Sequence, residues 1–324
     1  MNTVSSLVRS LAWVMILSLA LAACSTPVPA APTDPPSEPP TAVKPPTATA
    51  EPSPTPIPPT PTEAVPQRPL SNLAADPQRI EFQAEDGKKL VGYYYPSKYA
   101  DAPVMILIHW AGGDLCDWSA MSPWLQNRAD ENPPQIERCV GSTGASLADI
   151  FPPLAAETSV AVFAFDFRNY GESEKGPSTR RDLALDALAA FETAAALEGV
   201  DPSRMAAIGA SIGADGAADG CLLYNQKAGG GCVGNLALSP GNYLDMSYPV
   251  VVNDLAPVPS WCLAGEKDGE SAPTCKSAGG EHYRMQVYPD TRAHGMILLT
   301  ETLVPPALDL ILEFMELVYG EPMK

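Results

Sequence analysis

Two short stretches of this chain, Val104–Ile108 and Val160–Phe165, carry no polar side chain at all. They are too short to cross a bilayer as a helix and suit strands instead. A strand with no polar position has no face to give to water, so both of its faces must be covered. That points to a mostly parallel sheet between two layers of helices, an α/β architecture. Weaker runs continue the series at Met205–Ile208, Leu236–Leu238, Ser260–Ala264 and Met285–Tyr288. Helical stretches lie between them. The clearest spans about Thr179 to Leu197, with Leu188, Phe191 and Ala195 at helical spacing, Asp182 near its positive end and Gly199 beyond its last turn. Asp201-Pro202-Ser203 reads as the turn into the next strand, and Leu308–Val318 as a closing amphipathic helix. Ahead of the series, Arg79–Ala84 and Leu90–Tyr95 flank Asp86-Gly87 and read as a strand pair.

This pattern occupies only part of the 324 residues. Seventeen of the 36 prolines fall between Cys24 and Pro69, alternating with Thr, Ala, Glu and Ser. Such a tract cannot bury enough apolar surface to offset its ordering entropy, and it favours extended polyproline II. Before it, Arg9 precedes the apolar run Leu11–Leu21, and small residues lead to Cys24, the parts of a secretory signal. Leu21-Ala22-Ala23-Cys24 resembles the bacterial lipobox. The resemblance implies cleavage before Cys24, diacylation of its sulfur and stable attachment to a membrane. The expected division is a signal peptide over 1–23, a proline-rich linker over 24–75 and one folded domain over 76–324.

With 38 acidic against 20 basic side chains, the formal charge is −18, and no basic cluster offsets it. Phosphate binding needs clustered Lys and Arg, so a nucleic-acid partner is not expected. With Cys24 acylated, six cysteines remain: Cys116, Cys139, Cys221, Cys232, Cys262 and Cys275. An even number in an exported chain favours disulfides, although six cysteines permit fifteen pairings. Each nearest-neighbour pair brackets a loop-like segment, which favours Cys116–Cys139, Cys221–Cys232 and Cys262–Cys275. No pair has zinc-ligand spacing and the chain has three histidines, so neither a metal nor another cofactor is expected.

The chemistry concentrates in Gly209-Ala210-Ser211-Ile212-Gly213, which follows the strand ending at Ile208 and opens a helical stretch. Gly-x-Ser-x-Gly between strand and helix is the pattern of a nucleophile elbow. The serine occupies a strained turn, so the positions two before and two after must be small for strand and helix to pass. The N–H of Ile212 then points at a helix N-terminus, where it can stabilise an oxyanion. Serine alone is a weak nucleophile and needs a base and an orienting acid. The candidates for base are His109, His282 and His294. Chain order Ser, acid, His excludes His109. His294 lies in the loop after Met285–Tyr288, at the carboxyl end of that strand, whereas His282 precedes it and reads as a surface residue. The acid is expected after Ser260–Ala264: Asp268 leads, with Glu266, Glu270 and the more distant Asp245 as alternatives.

The second oxyanion donor is expected in the loop after Ile108, His109-Trp110-Ala111-Gly112-Gly113-Asp114. Here residues 79–318 resemble the α/β-hydrolase superfamily, and most closely its single-domain dienelactone-hydrolase-like and esterase-like members. His109 opens the segment that is similar to their His-Gly loop. Asp166-Phe-Arg168-Asn-Tyr-Gly171-Glu-Ser173 resembles their Asp-x-Arg-x-x-Gly-x-Ser turn, which implies structural roles for Asp166, Arg168 and Gly171. Two departures stand out. Trp110 occupies the place of the usual Gly, which leaves either Trp110 or Ala111 as the N–H donor. Ser211 stands where the dienelactone hydrolases proper have a cysteine.

The stretch Ser239–Pro259, where larger relatives insert a lid, is too short for a cap domain. The unusual length lies between Asp114 and Ser159, and a loop pinned by Cys116 and Cys139 is expected to border the pocket, with Trp110, Trp118 or Trp124 either as apolar walls or as ordinary core. The leading functional expectation is an extracytoplasmic, membrane-anchored serine hydrolase acting on small-molecule carboxylic esters. Serine peptidase or thioesterase activity is the runner-up, and a noncatalytic binding lipoprotein on a hydrolase scaffold is the alternative outside enzymology.

Overall fold

A computed structural model of the chain describes residues 68–300 and 302–324. The signal peptide, Cys24 and most of the proline-rich linker lie outside the described residues. Eight strands form one sheet: β1 (Gln78–Gln83), β2 (Lys89–Tyr95), β3 (Ala102–Ile108), β4 (Ala161–Asp166), β5 (Val200–Ala210), β6 (Cys232–Leu238), β7 (Ser260–Gly265) and β8 (Tyr283–Tyr288). Their spatial order is β1-β2-β4-β3-β5-β6-β7-β8. β1 and β2 pair antiparallel, β2 meets β4 antiparallel, and every later pairing is parallel.

The fully apolar strands fall where both faces are covered. Every residue of β3 and β4 is buried. Along β3, Val104, Ile106 and Ile108 pack into one core layer, while Met105 and Leu107 pack into the other. The first layer is closed by α2 (Arg180–Ala195), α3 (Ile212–Ala228), α4 (Tyr248–Asp254) and α5 (Ser271–Ser277). The second is closed by α1 (Met121–Gln126) and α6 (Ala307–Tyr319). Thr179 caps α2: its hydroxyl accepts from the Asp182 N–H, and the Asp182 carboxylate accepts from the Thr179 N–H. The Asp86-Gly87 turn joins β1 to β2, with Gly87 at φ +82°. No helix among the described residues is long and apolar enough to cross a membrane.

One local expectation fails. Asp201-Pro202-Ser203 is part of β5 rather than a turn before it. These residues are only partly covered, and the pairing of β5 with β3 jumps from Val200–Ala102 to Met205–Val104, so the irregular stretch sits where no ladder hydrogen bond is required of Pro202.

The disulfides are Cys116–Cys139, Cys221–Cys232 and Cys262–Cys275, with Cα separations of 5.0, 5.4 and 5.7 Å. The second ties α3 to the start of β6, and the third ties β7 to α5. The first closes the long segment between β3 and β4, which holds α1 and four short 3-10 turns. Arg138, beside Cys139, reinforces that closure. Its guanidinium donates to Asp114 at 2.9 Å, to Asp166 at 2.6 Å and to Glu172 at 3.1 Å.

Candidate active site

Ser211 joins β5 to α3 with φ 53° and ψ −116°, a conformation that costs a non-glycine residue energy. The two flanking glycines make that turn possible. A Cβ on Gly209 would overlap the Gly213 carbonyl, and one on Gly213 would overlap the carbonyls of Ile108 and His109. The Ser211 N–H donates to the Leu238 carbonyl at 2.8 Å, which fixes the elbow to the next strand.

Nε2 of His294 lies 2.8 Å from Ser211 Oγ. Nδ1 of His294 lies 2.8 and 2.9 Å from the two carboxylate oxygens of Asp268. With Nδ1–H donating to the carboxylate, Nε2 is left as the acceptor for the serine O–H. The three groups come from the carboxyl ends of β5, β7 and β8, on one rim of the sheet. The chain runs from β3 outward to β4 and then back to β5 on the other side, so this rim lies at the point where strand order reverses, the usual binding crevice of an open parallel sheet. Asp268 is set by a tight turn in which its N–H donates to the Gly265 carbonyl at 3.1 Å. Glu266 instead accepts from the Asp290 N–H, and Glu270 precedes α5.

The other two histidines stand elsewhere. His109 is fully buried; Nδ1 faces the Trp110 carbonyl at 2.7 Å and Nε2 accepts from the Phe167 N–H at 3.1 Å. Burial pulls its pKa down to about 4, so the ring is neutral and cross-links two loops. His282 Nε2 lies 2.8 Å from the Val252 carbonyl, away from Ser211. Ile212 is the first residue of α3, where the N–H groups lack intrahelical acceptors. The loop carrying Trp110 and Ala111 leaves β3 beside this helix start, where the carbonyls of Ile108 and His109 lie close to Gly213.

Of the three tryptophans that read as walls or as core, Trp110 alone stands beside His294. Its ring centroid is 6.4 Å from the imidazole and tilted by 27°. Trp118 is fully buried in the second core layer. Trp124 donates to the Pro152 carbonyl at 2.6 Å and stacks on Phe151. Both are needed to cover the sheet face beneath the long β3–β4 connection. Asp166, the last residue of β4, and Arg168, in the turn after it, are likewise buried: Asp166 accepts from the N–H groups of Leu115 and Glu172, and burial raises its pKa to about 6. Gly171 sits against the Asp166 carboxylate with φ +41°.

Two neighbours of the site escape the sequence pattern. Tyr243, in the loop after β6, meets the His294 ring edge to face, with centroids 6.4 Å apart. Asp215, in the first turn of α3, is buried and accepts from backbone N–H groups of residues 241–244, pinning that loop; burial still raises its pKa to about 7. An acidic residue one turn after the elbow serine was the available signal for Asp215. Nothing in the local sequence marks Tyr243. Among the described residues, no group of three or more His, Cys, Asp or Glu side chains is arranged to hold a metal ion.

No family model matches the chain. It is 25% identical over 210 residues to the uncharacterised protein YfhR of Escherichia coli strain K12, which covers 59% of this chain and 63% of that protein. The chain thus spans less than two thirds of the length of the curated relatives it matches. Among solved structures it is similar to the esterase Pf2001 of Pyrococcus furiosus, with a TM-score of 0.51 and 18% identity over 78% of this chain and 99% of that one. It is also similar to the α/β hydrolase GrgF of Penicillium sp. sh18, with a TM-score of 0.53 and 12% identity over 76% and 99% of the two chains. Sheet order, the elbow between β5 and α3 and these structural neighbours agree that the described part of the chain has the α/β-hydrolase fold.

Proposed function

We propose that the chain is a serine hydrolase that cleaves carboxylic esters outside the cytoplasm while tethered to a membrane. The observation that carries this reading is the unbroken relay from Ser211 Oγ through both nitrogens of His294 to Asp268. Ser211 Oγ attacks the ester carbonyl carbon as its proton passes to His294 Nε2. The imidazolium so formed faces the Asp268 carboxylate, which stabilises it and holds the tautomer. The tetrahedral oxyanion takes hydrogen bonds from the N–H of Ile212 and from that of Trp110 or Ala111. Collapse breaks the bond to the alcohol oxygen, which takes the proton from Nε2 and leaves an acyl-enzyme. Water, deprotonated by Nε2, then attacks the acyl carbon; the acid departs and Ser211 recovers its proton.

A noncatalytic binding protein has no need of a strained serine aligned to a histidine that is itself aligned to a carboxylate. Peptides and thioesters present a carbonyl to the same groups; esters lead over peptides because an amide carbonyl is more strongly resonance-stabilised, and over acyl-CoA thioesters because that cofactor is cytoplasmic. The chain reads as a dienelactone-hydrolase-like esterase without a cap, since the β6–β7 connection holds only the seven-residue α4. Three disulfides support an oxidising compartment. The lipobox-like Leu21–Cys24 supports an acyl anchor at Cys24, with the proline-rich residues 25–69 as a spacer.

A fluorophosphonate probe tests the nucleophile. The folded wild-type protein is expected to form one stable adduct, mapped by mass spectrometry to Ser211; an unmodified Ser211 after prolonged exposure rejects the reading. The anchor is tested separately by growing cells on an alkynyl fatty acid. The mature wild-type protein should carry the label and Cys24→Ser should not, and an unlabelled wild-type protein rejects the anchor.

A further inference from the structure

We propose that Trp110 and Tyr243 form an aromatic cleft on the leaving-group side of Ser211, and that the preferred substrates are esters of benzyl-type alcohols. This rests on the reading of Ser211 as nucleophile and His294 as base. The alcohol oxygen must accept a proton from Nε2 as it departs, so it lies within a hydrogen bond of that atom, about 3 Å away. Whatever hangs from the oxygen therefore starts beside the imidazole. Two rings flank that imidazole: Trp110 is nearly parallel to it and Tyr243 is edge-on, each with its centroid 6.4 Å away. Both rings are half-buried, so each keeps some surface exposed beside the rim.

The chain seats both rings with care. A Cβ on Gly112 would stand 3.2 Å from the Trp110 indole, and one on Gly295 would stand 3.1 Å from it. A Cβ on Gly241 would overlap the Tyr243 ring. Three positions therefore lack side chains where two rings lie against one histidine. The backbone that carries each ring is also tied down. In the Trp110 loop, the Asp117 carboxylate lies against the backbone of Gly113, and Asp117 belongs to the 3-10 turn Leu115–Trp118 next to the Cys116–Cys139 disulfide. The backbone N–H of Tyr243 donates to the buried Asp215 carboxylate. Rings fixed in this way offer a stacking surface at little entropic cost when an aromatic group arrives. Ring pairs in such offset or edge-on arrangements gain about 0.5–1.5 kcal/mol beyond the area they bury.

If the rings only shielded the imidazole from water, they would not discriminate between leaving groups of equal size. Benzyl acetate and cyclohexylmethyl acetate separate the two cases, because they share an acyl group and release primary alcohols of similar acidity and bulk. For the wild-type protein, kcat/KM is expected to favour benzyl acetate by about tenfold. Trp110→Leu and Tyr243→Leu should each bring that ratio to within about threefold, and Trp110→Phe, which restores a ring, should recover most of it. Because the two Leu variants alter different elements, one that fails to fold leaves the other to decide. A wild-type ratio within about twofold, or a ratio unchanged in the folded Leu variants, overturns the cleft. If neither ester is turned over, the cleft is also wrong; a fluorophosphonate adduct on Ser211 of that same protein then leaves the nucleophile standing, and its absence removes both.

Discussion

Ser211→Ala and His294→Ala are each expected to lower kcat by about 10⁴- to 10⁶-fold, and the double variant by no more than the more damaging single change. The reason is geometric. Oγ and Nε2 are 2.8 Å apart and, in the proposed mechanism, act on one proton, so either loss disables the same step. Without the hydroxyl, the imidazole has no serine to activate. Without the imidazole, the hydroxyl stays protonated at neutral pH. Residual turnover would come from the backbone donors at Ile212 and the β3 loop, which neither substitution removes. Single-turnover kinetics on an activated ester, with circular dichroism to show that each variant is folded, would check this. Additive losses would mean that His294 acts on something other than Ser211.

The residues proposed as nucleophile and base stand out in the sequence for reasons that are steric and arithmetic. Gly209 and Gly213 are required wherever a strand turns into a helix this sharply, and a chain with three histidines and a fixed chain order leaves few choices. The carboxylate that faces the imidazole stands out less because Glu266, Asp268 and Glu270 share one turn, and only the backbone path from Gly265 decides among them. Tyr243 and Asp215 are 28 residues apart, and their contact depends on how the loop after β6 folds back onto α3. Trp118 and Trp124 read equally as pocket walls or as core because their cover, the long connection after β3, has no periodic pattern to reveal which side of it faces the sheet. The strand series was clear for the opposite reason: residues buried on both faces leave an unbroken apolar signature, as in β3 and β4. At Asp201–Ser203 the turn chemistry was real, but the strand continues through it without needing the missing proline N–H.

Arg168→Met is expected to cost about 3–5 kcal/mol of folding stability at pH 8, among the largest losses available outside the core. The Arg168 side chain is only 2% exposed and that of Asp186 is fully buried. Nε reaches both oxygens of Asp186 at 2.9 and 3.0 Å, Nη2 reaches one at 2.7 Å, and the Arg168 N–H donates to the same carboxylate. The outer edge of the guanidinium meets Asp86, in the β1–β2 turn, at 2.7 and 3.0 Å. One side chain thus joins the turn after β4 to the middle of α2 and to the β1–β2 hairpin. A Met in its place fills much of the volume but leaves the Asp186 charge with only a backbone donor. Burial already works to raise the pKa of Asp186, and without the guanidinium the folded variant would hold its proton to higher pH. A carboxyl with a folded pKa above its unfolded value of about 3.9 loses stability as pH rises between the two. The deficit relative to wild type should therefore be smaller at pH 5 than at pH 8. Replacing both partners, as Arg168→Met with Asp186→Leu, removes the stranded charge and should recover at least about half of the loss. Urea titrations of the two single variants and the double variant at both pH values complete the cycle. A single-variant cost below about 1 kcal/mol, or a double variant no more stable than Arg168→Met alone, would show that the pair is not coupled as its geometry requires.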